Sequence, residues 1–430
     1  MASADPTKLE NSDCSATIAA TADRLRALTR RSLQAGWQMA QQPDPQVTSA
    51  TEGWTTWPFA APNAKQHIAW ARGQKALWLC QQITVPTALQ DFPLAGSALR
   101  LGLTWWAEAA AVYVDGQLMQ EGDLFDYFGR ILLSDRVTPG DTFWVAIYLI
   151  SPGHDDGALV RSEVVYEQAV ASPEPSPEPS FVADELTVLQ TYAETLAPEQ
   201  LSAIAAAIAP LDWRTVGQRD RFLQELGALR SRLQTLSPWI KQRQVTCVGH
   251  AHLDLAWLWP VADTWQAAER TFRSVLALQK DFPELTYTHS SPALFHWLET
   301  HQPDLFHDVQ QAVQQGRWSI DAGLWVEPEL NTLGGESLAR QILYGQRYTQ
   351  SRFGDVSAIA WLPDSFGFSW QLPQLLKLGG IDYFATQKLR WNETTTFPHS
   401  LFWWQGLDGT ALLSLTLPPI GTDVDPVQIA

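Results

Sequence analysis

Cysteine is nearly absent: Cys14, Cys80 and Cys247 are the three in 430 residues, and they lie far apart. An odd set without a spacing pattern excludes a disulfide framework and a cysteine-type zinc site. Basic charge is scarce too. Lys and Arg number 29 against 46 Asp and Glu, a formal net charge of −17. That deficit argues against nucleic acid and anionic membrane as partners and is compatible with a neutral substrate. There is no run of about 18 apolar residues that could span a bilayer. The opening MASADPTKLENSD lacks the basic stretch and apolar segment of a secretory signal. A reducing cytoplasm is the expected location.

What is present is apolar and aromatic. The hydrophobic share is 45%, enough for sizeable cores, and the length implies two or three domains. The 21 tryptophans supply core volume as well as flat faces of the kind that stack on sugar rings. Residues 16 to 42 read as helical, with Ile18, Leu25, Leu28 and Leu33 among basic residues. An N-terminal helical segment, 1–45, is therefore expected. From 46 to 170 short β-rich runs follow, with Asp115-Gly116 after VYV as a tight hairpin turn. They predict an antiparallel sandwich, a packing module or a sugar-binding one. SPEPSPEPS, inside 171–182, reads as an extended linker. Phe222, Leu226, Leu229 and Leu233 then make one apolar stripe in a helical connector, 183–242. From 243 onward strands and helices alternate, which implies parallel strands with covering helices. The expected strands are 245–249, 285–289, 318–322, 358–362, 383–385, 401–404 and 411–417.

The stretch VTCVGHAHLDLAWLWP, Val245 to Pro260, carries the densest chemistry. An apolar strand leads into His250, His252 and Asp254, and residues two apart in an extended chain point to one side. Nitrogen and oxygen ligands so arranged suit a borderline divalent ion, zinc first. The alternative is a polar strand end with satisfied histidines and core tryptophans. In AIAWLPDSFG, Ala358 to Gly367, a second apolar strand runs into Asp364, where a helix cap is the competing reading. His252, Asp254 and Asp364 together would make three ligands with an open position, the layout of a catalytic metal site.

The part from about 244 onward resembles the zinc-dependent α-mannosidases of glycoside hydrolase family 38, most closely their cytosolic or vacuolar branch. Four motifs in order carry the resemblance: GHAHLDLAWLWP, GLWVEPELNTLGGESLARQILYGQR, WLPDSFGFSWQLPQLLKLGGI and TQKLRWNETTTFPHSLFWWQGLDGT. The resemblance implies that His252 and Asp254 are zinc ligands and that Asp364 is both ligand and catalytic nucleophile. It implies that Trp257 and Phe366 wall the mannose site and that Lys388 lies near the substrate. Trp325, Glu327, Asn331, Glu336 and Arg340 match a supporting signature, and His250 a position behind the ligands. Glu329 departs from the family, which more often has Asp.

The fold that follows is multidomain, α+β and α/β: an N-terminal antiparallel β-sandwich, a helical connector, then the first part of a parallel (β/α) barrel-like catalytic domain, 243–430. The implied function is retaining hydrolysis of α-linked mannose from oligosaccharides, with zinc as cofactor and a covalent mannosyl-enzyme on Asp364. The expected partner is an oligosaccharide with terminal α-mannose; a homo-oligomer is allowed. The family's acid/base aspartate and its fourth zinc ligand, a histidine, follow the nucleophile at a distance. The one histidine after Asp364 is His399, which matches another family position. The expectation is that these residues are the front part of a longer enzyme. Two other readings stand beside this one. The first is a non-catalytic sugar-binding or scaffold fragment. The second is a metal-dependent amidohydrolase, which would need strand-end histidines; here His289, His296, His301 and His307 cluster around one helix instead.

Overall fold

The computed structural model describes residues 6–41, 54–124, 126–169, 177–257 and 259–417. They form two compact units that divide between Arg243 and Gln244.

The first unit opens with the helix Pro6–Ala27. Ile18, Ala22 and Leu25 recur four and three apart, so one stripe faces inward and is buried. The expected helix does not continue to residue 42. Arg30–Ser32 is a strand antiparallel to Gly157–Glu167, and Gln38–Ala40 is a strand antiparallel to Ala76–Thr84. Between them Leu33 and Trp37 are buried, and Trp37 Nε1 donates to Ser162 Oγ at 2.8 Å. Backbone pairing onto two sheet edges, with these side chains inside, outweighs a weak local helix preference.

One sheet runs, in spatial order, Arg30–Ser32, Gly157–Glu167, Ala98–Trp106, Phe128–Ser134, with Ile68–Trp70 pairing onto Gly157–Glu167. The other runs Gln38–Ala40, Ala76–Thr84, Thr142–Ile150, Ala109–Val114, Gln117–Gly122. Every pairing in both is antiparallel. Alternate residues such as Leu99, Leu101 and Leu103 are buried, the period of a strand with one face in the core. Asp115 and Gly116 both take positive φ, 49° and 82°, as the hairpin turn requires. The helices Pro179–Leu196, Gln200–Ile208 and Arg219–Leu233 share a single core with the sheets, and Phe222, Leu226, Leu229 and Leu233 lie in it. The expected linker, 171–182, needs correcting at its end. Residues 170–176 lie outside the described ones, but Pro179 starts a helix, and Ser180 and Val182 are buried. Proline's fixed φ and missing N–H suit a first helical position, so the Pro-Glu run leads straight into a helix.

In the second unit, β1 (Gly249–His250), β2 (Tyr287–His289) and β3 (Trp318–Ile320) pair parallel in that order. β4 (Ile359–Trp361), β5 (Tyr383–Thr386) and β7 (Ala411–Thr416) form a second parallel row, with β6 (Leu401–Gln405) antiparallel on β7. The helices between are α1 (Val261–Asp281), α2 (Pro292–His301), α3 (Pro303–Gln314), α4 (Gly335–Phe353) and α5 (Leu372–Leu378). Phe272, Phe295, Val309 and Trp318 centre one core, and Leu338, Ile342, Ala360 and Phe384 another. The strand expected at 245–249 is reduced to Gly249–His250, and Val245 and Val248 are exposed. Among the described residues β1 has one neighbour, β2, so its ladder is short and nothing covers the valines. Within each row parallel pairing puts the carboxyl ends of the strands on one side, and the candidate site residues follow the carboxyl ends of β1, β3, β4 and β5.

Glu178, beside the helix start at Pro179, gives a test of the first unit. Burial pushes its carboxyl up to about 7; Glu167 adds to the rise and Arg219 opposes it. A raised folded value means that the fold binds the proton more tightly than the unfolded chain. Stability therefore declines as pH rises from about 4.5 to 7 and is flat above. Glu178→Gln removes that decline. Urea unfolding should show the variant more stable by about 1–2 kcal/mol at pH 8, after discount for partial exposure, and equal to the parent near pH 4.5.

Candidate metal centre

Four loops at strand ends build the site, those after β1, β4 and β5 and, from between them, the loop after β3. The first follows β1. His252 and Asp254 leave the strand end, and Ala256 takes φ +60°, a left-handed conformation unusual for a residue with a Cβ. Thr264, fully buried in the first turn of α1, holds that bend. Its Oγ1 donates to the Asp254 carbonyl at 2.8 Å and accepts from Ala256 N and Trp259 Nε1, each at 3.0 Å. One hydroxyl thus ties together the backbone on both sides of the ligand loop.

The second loop follows β4. Pro363 leads to Asp364 and Ser365, whose backbone N–H groups both donate to Glu327 Oε1, at 2.5 and 2.7 Å. Ser365 Oγ adds a third donor at 3.2 Å. Glu327 comes from the loop after β3, and its other oxygen lies 3.6 Å from His252 Nδ1. A Cβ on Gly367 would come 2.2 Å from Asn331 Nδ2, so a larger residue there would oblige the Asn331 side chain to move. The third loop follows β5. Lys388 is buried and its Nζ pairs with Asp364 Oδ1 at 2.5 Å. The same ammonium lies 3.4 Å from the Trp391 ring centroid and 4.4 Å from that of Phe366, so two aromatic faces solvate it.

His252, Asp254 and Asp364 converge. One ligand-type atom from each lies within 4.8 Å of the others. His252 Nε2 is 3.2 Å from Asp254 Oδ1 and 3.8 Å from Asp364 Oδ2. Donors around a tetrahedral zinc are about 3.3 Å apart, given bonds of about 2.0–2.1 Å, and the two His252 distances are near that spacing. Burial alone would pull the His252 imidazole down. The Asp254 hydrogen bond and the charges of Glu327, Asp254 and Asp364 outweigh it and hold the imidazole above its ordinary value. That local demand for positive charge is what a divalent cation answers. Glu327 is held above the usual carboxylate range by burial, against the pull of His252 and the two N–H donors. With Nε2 facing the cluster, Nδ1 faces Glu327, the carboxylate–histidine–metal arrangement that fixes a ligand's tautomer. An imidazole and two carboxylates, with Asp364 Oδ1 given to Lys388 and Oδ2 to the cluster, fit zinc.

His250 is placed otherwise. Its Nδ1 is 3.1 Å from the Thr288 carbonyl and its Nε2 accepts from Trp361 Nε1 at 3.2 Å. Burial pushes it down to about 4, so it is neutral and both nitrogens are occupied. Trp257 and Phe366 are exposed and line the cavity that His252, Asp254 and Asp364 line. Glu336 and Arg340 pair with each other on the surface of α4. Of the further histidines, His289 is buried in β2, His296 and His301 lie on α2, and His307 on α3. His399 packs edge-on against Phe397. None of them joins the ligand group among the described residues. Sequence reasoning missed Thr264 and Trp361. Thr264 had one visible signal, a hydroxyl residue in the first turn of the helix after an H-x-D loop.

A parallel α/β unit with an imidazole and two carboxylates converging at its strand ends has a donor set that suits a divalent metal ion. Comparison with known proteins narrows this. Residues 242–425 match the glycosyl hydrolases family 38 N-terminal domain. The alpha-mannosidase of Saccharomyces cerevisiae is 46% identical over 176 residues, 41% of this chain and 16% of that protein. Alpha-mannosidase 2C1 of Homo sapiens is 38% identical over 178 residues, 41% of this chain and 17% of that protein. A crystal structure of an alpha-mannosidase from Enterococcus faecalis aligns with 39% of this chain and 19% of its own, at 23% identity and a TM-score of 0.34. The chain thus spans about a sixth of the length of the two named sequence relatives.

Glu327 and Thr264 yield separable expectations. Glu327→Ala leaves two buried N–H groups without their acceptor, at about 1–3 kcal/mol of stability each. Zinc affinity should also fall roughly 10–100-fold. Glu327→Gln keeps an acceptor oxygen, so it should recover most of the stability and less of the affinity. Thr264→Val keeps the shape and removes the hydroxyl. It should lower the melting temperature and weaken zinc binding together. Chelator competition and thermal melts on the same samples read both. Unchanged zinc affinity in Glu327→Ala would show that the clamp does not support the ligands.

Proposed function

We propose that this chain carries the metal and nucleophile half of a retaining, zinc-dependent α-mannosidase that removes terminal α-mannose from oligosaccharides. The observation that supports it most is the meeting of His252, Asp254 and Asp364 within 4.8 Å at the strand ends of a segment that matches the family 38 N-terminal domain. In this reading the unit is the first part of a (β/α) barrel-like catalytic domain. The three free cysteines are compatible with a cytoplasmic setting, and no helix among the described residues is long and apolar enough to cross a membrane.

His252, Asp254 and Asp364 would hold a zinc ion, which would supply a Lewis acid for sugar hydroxyls and favour ring distortion towards an oxocarbenium ion. Trp257 and Phe366 give the sugar apolar walls, orient it and exclude water. Glu327 holds the Asp364 backbone, so the carboxylate meets the anomeric carbon from a fixed direction. Asp364 forms a bond to that carbon as the bond to the leaving oxygen breaks, giving a mannosyl ester. The departing oxygen takes its proton from a second carboxyl group, about 5–5.5 Å from the nucleophile in retaining enzymes. Water then cleaves the ester, and Asp364 is released as carboxylate. Lys388 answers the charge of Asp364 in the resting site.

Asp364→Asn should lower aryl α-mannoside turnover by about 10⁴-fold or more while leaving the fold intact, because the amide is isosteric but a poor nucleophile. Zinc content measured on the same protein should fall as well, since one side chain serves both tasks. Turnover like that of the parent would refute the assignment. Trp257→Ala should raise KM or lower kcat without changing zinc content.

A further inference from the structure

Beside the ligand cavity lies a second one, of about 450 Å³, within the range of small-molecule sites. Phe366 borders both cavities. Lys388 lines the second while its ammonium holds Asp364. Phe366 and Lys388 therefore stand where the two cavities adjoin: Lys388 Nζ lies over the Phe366 and Trp391 rings, which meet at 77°. The remaining walls are aromatic. Phe397 and Phe402 meet edge to face at 4.9 Å, and Trp404 is half-buried behind them. Trp391 leaves 69% of its surface and Phe366 64% in solvent, although large apolar rings gain by burial.

The polar groups narrow the ligand. Lys388 is the one charged residue in the lining, and its charge is met by Asp364 and by two rings. An anion thus finds no unanswered cation here. Asn392 uses its side-chain oxygen on the backbone N–H groups of Thr394 and Thr395, at 3.0 and 2.8 Å. That fixes the amide and leaves its NH₂ donors for a ligand oxygen. Thr395 adds a hydroxyl at the rim. Flat apolar faces with neutral donors and acceptors, and no free charge, match a neutral saccharide. Taking the catalytic reading above as its basis, we infer that this aromatic cavity is a second saccharide subsite, which receives the sugar next to the mannose held at Asp364. The protein would then select oligosaccharides over simple mannosides through contacts made outside the ligand cavity.

The test uses the zinc-loaded protein with its own sequence and titrates mannose and the α1,2-, α1,3- and α1,6-linked mannobioses by calorimetry, the disaccharides carrying sulfur in place of the glycosidic oxygen so that no turnover interferes. At least one mannobiose should bind about tenfold more tightly than mannose, the factor that about 1.4 kcal/mol of ring contact gives. Phe397→Ala removes a wall, and Thr395→Tyr, at an exposed rim position, fills the space. Each should bring the ratio of the two affinities to within about twofold of one. If Phe397→Ala fails to fold, Thr395→Tyr decides by itself. A mannobiose preference that survives the variants overturns the inference, and so does mannose binding with no such preference, while the catalytic reading stands. Binding of neither sugar overturns both.

Discussion

The Glu327 carboxylate accepting the backbone N–H groups of Asp364 and Ser365 is the contact on which the rest of the site depends. A carboxylate this buried is costly unless donors surround it, and three of them do. The bond joins the loop after β3 to the turn after β4. These strands belong to different sheets of the second unit, so no ladder fixes one loop against the other. The same carboxylate faces His252 from the loop after β1. One side chain thereby sets the mutual position of three loops, and the ligand atoms meet because of it.

Around that clamp the charges are arranged to be answered locally. Asp364 divides its oxygens between Lys388 and the cluster, and Lys388 divides its charge between a carboxylate and two rings. The imidazole of His252 is surrounded by acids, whereas His250 is neutral and committed to Thr288 and Trp361. Two histidines two residues apart thus have opposite electrostatic settings. The difference comes from which packed element each one faces, one set of acids against one carbonyl and one indole.

The ligand types were legible because strand geometry is periodic. His252 and Asp254 fall on one side of an extended chain, and Asp364 follows an apolar strand of the same kind. The antiparallel sheets were legible from alternation and turn residues, down to the Asp115-Gly116 turn. What the sequence hid was set by pairing and by long-range contact. Residues 30–40 look helical in isolation and become strands because two sheet edges and the Ser162 hydroxyl receive them. The Val245–Val248 run looks like a buried strand, yet with one neighbour its ladder shrinks to Gly249–His250. That Lys388 and Phe366 lie beside Asp364 was expected from the resemblance alone, since neither spacing nor composition relates residue 388 to 364. Thr264 acts ten residues from Asp254, through a bend that an alanine at positive φ does not advertise.

X-ray absorption at the zinc edge tests the central claim most directly, because it reads the ligand atoms and not their consequences. The account predicts nitrogen and oxygen scatterers only, at about 2.0–2.2 Å. It also predicts that His252→Ala removes one imidazole from the outer-shell signal. Sulfur at about 2.3 Å, or an imidazole count that His252→Ala leaves unchanged, would place the metal elsewhere and contradict it.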